Sequence, residues 1–134
     1  MKKHAFILSL CLSLLLMAVN VYSTIPIDYS PQWNCIYRMS STIGFDGLNG
    51  EADASVFGKS GTTHIDGTLT VYRQSGNEWV YVDSTSDSVS QSGLGLQVNF
   101  TGISGAYYKA VFEVSVICNG VEESTSKTSY KTCP

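Results

Sequence analysis

Histidine is nearly absent, with two in 134 residues. No segment holds a Gly-x-Ser-x-Gly elbow, a His-Glu-x-x-His pair, a phosphate-binding glycine loop or a Cys-x-x-Cys motif. These gaps remove the usual parts of nucleophilic, metal-assisted and thiol redox chemistry. The chain therefore reads as a non-enzyme, with no catalytic residue, metal or cofactor. Charge is sparse as well: charged residues make up 14% of the chain, and 8 Lys and Arg face 11 Asp and Glu. An acidic balance excludes the electrostatic footprint of a nucleic-acid or anionic-lipid partner. Lys and Glu are scarce while Ser, Thr and Gly are plentiful, a bias that suits twisted strands and tight turns and leaves no helix of useful length.

One hydrophobic run is present. Met1-Lys2-Lys3-His4 followed by Ala5 to Val19 has the basic start and short apolar stretch of a secretion signal, too short for a bilayer span of about 20 residues. Val21-Tyr22-Ser23 places small enough residues for cleavage after Ser23. Leu8-Ser9-Leu10-Cys11 is a poor lipidation box, because Leu10 is bulky and the apolar stretch would be halved. Residues 1–23 are thus expected to be a signal peptide and the product to be secreted, without membrane insertion. Losing Lys2 and Lys3 makes the formal charge of −3 two units more negative. About 110 residues remain, enough for one domain with its own core. Residues 24–34, with Ile25-Pro26 and Ser30-Pro31, form an extended lead, and 35–134 a single β domain.

Seven strands alternate with turn signals: Ile36 to Phe45, Glu51 to Phe57, Thr62 to Arg73, Glu78 to Asp83, Leu94 to Phe100, Ala106 to Cys118 and Val121 to Tyr130. Ala52, Ala54 and Val56 share a face, as do Ile65, Gly67, Leu69 and Val71, and Leu94, Leu96, Val98 and Phe100. The small polar residues between Asp83 and Gly93 read as a long surface crossing, with room for a short edge strand. Asn119-Gly120 is a strong type I′ turn signal. Ser75-Gly76 makes a second hairpin if Gln74 faces Asn77, which sets Val71 opposite Val80, Leu69 opposite Val82, Tyr72 opposite Trp79 and Thr70 opposite Tyr81. The last strand is polar on both faces, as an edge strand can be, with Lys127 and Lys131 discouraging further pairing.

This strand order, with Gly105-Ala106-Tyr107 opening a long penultimate strand before a C-terminal hairpin, resembles immunoglobulin and fibronectin type III domains. The expected fold is an all-β, immunoglobulin-like antiparallel sandwich. In such domains a tyrosine at this point makes a corner contact. Tyr107 fits poorly, because Tyr108, Ala110, Phe112, Val114 and Val116 make the better inner strip; either Tyr108 takes the role or the corner is missing. The stretches Gly61 to Val71, Gly76-Asn77-Glu78-Trp79 and Gly105-Ala106-Tyr107-Tyr108 also resemble small exported single-domain proteins of Gram-positive bacteria, a family without an assigned activity. That resemblance implies a fold and a location and no functional residues.

Three cysteines outlast the signal: Cys35, Cys118 and Cys133. An odd number leaves one without an internal partner. Cys118 and Cys133 flank the last strand, too far apart to pair. In a sandwich of the resembled order Cys35 lies near Cys118, so a Cys35–Cys118 disulfide is expected, with three reduced cysteines the alternative. Cys133, beside a flexible terminus, is then a free thiol able to cross-link two copies.

Glu51, Asp53, Asp66, Glu113, Glu122 and Glu123 are the residue types of glycoside hydrolysis, yet nothing sets two of them across a cleft. Asp46 to Asp53 packs oxygen ligands around two glycines, a composition shared by calcium loops and by ordinary turns, and the spacing favours the turn. Asn99-Phe100-Thr101 is a glycosylation sequon only in a eukaryotic host. The informative surface is aromatic. Tyr72, Trp79 and Tyr81 should share the face away from Val71, suited to stacking on sugar rings or anchoring a protein. The competing reading is that Trp79 covers the end of the core. The expected function is non-enzymatic binding of a protein or glycan partner. The alternative is a structural or adhesion subunit that assembles through edge strands or as a homodimer through Cys133.

Overall fold

The computed structural model describes Gln32–Pro134; the expected signal peptide, its cleavage point and nearly all of the lead lie outside these residues. Seven strands follow in order: β1 (Ile36–Asp46), β2 (Asn49–Gly58), β3 (Thr62–Ser75), β4 (Glu78–Val89), β5 (Gly93–Thr101), β6 (Tyr107–Cys118) and β7 (Val121–Thr132). They form two antiparallel sheets, β1-β2-β5 and β4-β3-β6-β7, packed face to face as an all-β sandwich. Among the described residues no helix is long and apolar enough to cross a membrane.

Period-two alternation builds the core. Ala52, Ala54 and Val56 of β2 and Leu94, Leu96 and Val98 of β5 meet Ile65, Leu69 and Val71 of β3 and the row from Tyr108 to Val116 of β6, all buried. Gly67 sits in the β3 row because the other sheet comes too close for a side chain. A Cβ there would lie 2.5 Å from Leu94 Cδ2. Tyr108 is buried, and its hydroxyl accepts a hydrogen bond of 2.9 Å from the Ile103 N–H. Tyr108 is therefore the tyrosine that turns into the core, and Tyr107 points to the opposite face.

Both expected hairpins form. Asn119 and Gly120 have φ of 50° and 76°, as a type I′ turn requires. In the β3–β4 hairpin the loop is Gly76-Asn77, with Ser75 opposite Glu78, Gln74 opposite Trp79, Arg73 opposite Val80 and Tyr72 opposite Tyr81. This corrects the register drawn from sequence. The slip moves each β4 partner by two residues, an even number, so every side chain keeps its face. A bulge then follows between Val71 and Tyr72, leaving Val71 opposite Asp83 and Leu69 opposite Thr85. Val80 consequently lies exposed beside Arg73 and does not pair with Val71.

A second correction concerns Asp83 to Gly93, which is no long crossing. β4 continues to Val89, pairing with β3 as far as Ile65. Small hydroxyl residues suffice on an edge strand whose outer face meets Thr68 and Asp66 and whose inner Val82 and Val89 pack against the core.

Cys35 and Cys118 form a disulfide with Cα atoms 5.5 Å apart, tying the start of β1 to the end of β6 and so one sheet to the other. Cys133 is a free thiol, but it is buried, which corrects the picture of a loose terminal cysteine. Its backbone N–H donates to Ala106 and its carbonyl accepts from Gly105, and its sulfur packs beside Gly102 and Phe45. Cross-linking two copies would first require this end of the chain to detach.

Candidate functional site

The outer face of the four-stranded sheet divides into two ends. At one end the register places Tyr72 and Gln74 of β3 between Trp79 and Tyr81 of β4 and Tyr107 and Lys109 of β6, with Tyr130 of β7 opposite Lys109. Tyr107 and Tyr130 stack with centroids 5.8 Å apart and planes 15° from parallel, and Trp79 lies 6.0 Å and 6.2 Å from them. Lys109 Nζ sits 4.5 Å from the Trp79 centroid and 5.2 Å from that of Tyr72, so the ring quadrupoles carry its charge. Tyr81, Tyr107 and Tyr130 are exposed, and Tyr72 and Trp79 are half-buried. Trp79 does not cap the core; it lies on the sheet's outer side among other rings.

The sequence-predicted residues Tyr72, Trp79 and Tyr81 thus share one face, because the slip was even and the bulge begins only beyond Tyr72. Tyr107, Lys109 and Tyr130 were missed as members of the same surface. The Asn119-Gly120 hairpin already carried the signal: its register sets Tyr130 opposite Lys109, and the inner strip from Tyr108 turns Tyr107 outward.

At the other end the same face sinks into a shallow trough of about 860 Å³, lined by Asp66, Thr68, Ser86, Ser88, Glu113 and Ser115 among others. Thr68 and Ser86 hydroxyls are 2.8 Å apart across strands, and Ser115 Oγ donates to Glu122 Oε1 at 2.6 Å. Lys109 is the only lysine or arginine on this outer face of the four strands.

Ser88, His64 and Asp66 meet beside the trough, the three residue types of a hydrolytic triad. Their arrangement is wrong for one. Ser88 Oγ and Asp66 Oδ1 both approach the same histidine nitrogen, Nε2, at 3.1 Å and 3.2 Å, and the Ser88 hydroxyl also donates directly to Asp66. A triad needs the carboxylate on one ring nitrogen and the hydroxyl on the other, so that the base can take the serine proton. Flipping the ring cannot supply this, since both partners would still meet one atom. The Ser88 hydrogen bond is the main cause of a lowered Asp66 pKa; slight desolvation opposes it and the charge of His64 helps it.

The other carboxylates are scattered. Glu51 and Asp53 lie together on the outer face of β2, in the other sheet, and the Asp53 hydrogen bond and then its charge raise the Glu51 pKa. Glu123 is structural: its carboxylate accepts from the Asn34, Cys35 and Ile36 N–H groups at 2.9, 2.7 and 3.1 Å. Burial opposes its charge, but these three donors and Lys59 outweigh it and lower its pKa. Asp46 and Asn49 close a tight hairpin with Gly47 at φ 57°. Among the described residues no group of three or more His, Cys, Asp or Glu could hold a metal.

No family model matches the chain, and no curated protein matches it. One similar solved structure is that of Spo0M, a sporulation control protein from Bacillus subtilis. It is 11% identical with a TM-score of 0.38, covering 73% of this chain and 49% of that one. The chain therefore spans about half the length of that protein.

Proposed function

We propose that this is an exported, non-enzymatic binding protein that holds its partner on the aromatic end of the four-stranded sheet. The carrying observation is the contiguous surface of Trp79, Tyr72, Tyr81, Tyr107 and Tyr130 around Lys109, on a face that no element of the described domain covers. Flat rings with polar edges give large contact area for little conformational entropy, as glycan stacking and protein anchoring both require. The Ser88-His64-Asp66 geometry supports a non-catalytic reading. The disulfide fits an oxidising, extracellular location. Sheet order and the Tyr108 corner support the immunoglobulin-like and fibronectin-like resemblance at the level of fold.

Assembly through edge strands finds less support. On β4 the Asp83 and Asp87 carboxylates occupy the Ser84 and Ser88 N–H groups at 2.8 Å each, placing negative charge where an incoming strand would pair. On β7, Lys127 reaches across to the Met39 carbonyl.

The test is retention of the exported chain on insoluble polysaccharides, cell-wall material and extracellular protein, beside a folded Trp79→Ala variant. Retention that Trp79→Ala abolishes is the expected result. A partner held equally by both forms would refute the aromatic face.

A further inference from the structure

The trough that continues the aromatic surface has its own chemistry. Asp66 and Glu113 point outward from neighbouring strands, one opposite Ser115 and the other opposite Thr68. That diagonal relation separates their Cβ atoms by about 7 Å. Glu122 follows on β7, opposite Ile117, and serine hydroxyls fill the gaps. No lysine or arginine lines this end, and the one basic group nearby, His64, already contacts Asp66. Tyr72 is six residues along β3 from Asp66, about 20 Å of strand. The face therefore runs from stacking rings, where the Lys109 charge is shared with Tyr72 and Trp79, to a hydroxyl-rich and anionic floor.

We infer that the ligand is a glycan chain bearing free amino groups, its pyranose rings stacked on Trp79 and its neighbours and its ammonium groups set against Asp66 and Glu113. The carboxylates attract ammonium groups, offer a neutral glycan no charge pairing, and repel an acidic one. The hydroxyls of Ser86, Ser88 and Ser115 suit sugar hydroxyls, which both donate and accept. The Ser88 hydrogen bond favours the charged form of Asp66, the form that attracts an ammonium group.

This inference rests on the aromatic face being a binding surface, and one experiment separates the two. Calorimetric titration of the exported chain at mildly acidic pH and low salt would use a β-1,4-linked glucosamine hexasaccharide and its fully N-acetylated counterpart as probes. Two variants accompany it, Trp79→Ala and the isosteric double variant Asp66→Asn/Glu113→Gln, each checked for fold by circular dichroism. Expected are binding of the free-amine oligomer, binding of the acetylated one weaker by about tenfold or more, loss of that preference in the double Asp66→Asn/Glu113→Gln variant, and loss of binding in Trp79→Ala. Equal binding of the two oligomers, or an unchanged preference in the double variant, overturns the amino-glycan assignment and leaves the aromatic surface standing. Binding of neither oligomer, with a protein captured through Trp79, overturns it in the same way. Oligomer binding unaffected by Trp79→Ala overturns both.

Discussion

The two long sides of the sandwich are closed by different means. Where β1 runs beside β7, the sheets are tied by the Cys35–Cys118 disulfide, by Glu123 on three backbone N–H groups, by Ser41 and Ser129 hydroxyls 3.3 Å apart, and by Lys127 on Met39. Where β4 runs beside β5, no hydrogen bond joins the two strands among the described residues, and Val82 and Val89 close the gap by packing alone. The candidate site crosses the sheet between them, from Trp79 and Tyr81 on β4 to Tyr130 on β7. Covalent and polar ties are thus concentrated at one edge, so changes on β4 are expected to cost the fold little.

Removing the disulfide breaks the tied side most severely. Cys35→Ser with Cys118→Ser should lose about 2–5 kcal/mol, read as a lower urea midpoint, and reductant should lower the midpoint of the parent but not of the double variant. Equal midpoints would mean that the tied edge is held by its polar contacts alone. The core between the two sides comes next. Gly67→Val forces a side chain into the space of Leu94 and should cost about 1–3 kcal/mol, measured the same way.

Glu123→Gln keeps the shape but loses the charge, and should cost about 1–2 kcal/mol at neutral pH. Its pKa is lower folded than unfolded, so its contribution is whole above the ordinary glutamate value of 4.5 and disappears as pH falls through the lower folded value. The midpoints of parent and variant should therefore converge below that pH, and a gap that persists there would assign the effect to shape. On the untied side Trp79→Ala should cost about 1 kcal/mol or less while abolishing partner retention. Ser86→Ala, on the exposed face of β4, should stay within about 0.5 kcal/mol. A large loss of stability from either change would show that the β4 side carries the fold after all.

Much of this architecture was legible beforehand because strand alternation is local. Rows such as Ala52-Ala54-Val56 and Leu94-Leu96-Val98 announce an inner face wherever the strand is placed, and Asn119-Gly120 announces its turn through the φ values only such residues adopt freely. The β3–β4 register was not legible. Ser75-Gly76 and Gly76-Asn77 offer equally good loops, and the bulge at Val71 depends on what the second sheet demands of Val82. The strand character of Ser84 to Val89 was hidden for a related reason: serines show no apolar period, and only pairing with β3 makes them a strand. Two of the five rings of the aromatic surface, Tyr107 and Tyr130, were missed because they join it across strands.

By itself, then, the sequence determined seven strands, their inward rows, the Asn119-Gly120 hairpin and the absence of standard catalytic motifs, since each depends on neighbours within a few residues. Tertiary structure alone decided that Glu123 would hold the chain at Cys35, that Cys133 would be buried beneath Gly102, and that His64, Asp66 and Ser88 would meet without forming a triad. It also decided that Trp79 would join Tyr107 and Tyr130 above Lys109. Apart from the neighbouring His64 and Asp66, each of these contacts links residues distant in sequence. Their geometry is set by how the strands are ordered and the sheets stacked, and local propensity holds no record of that.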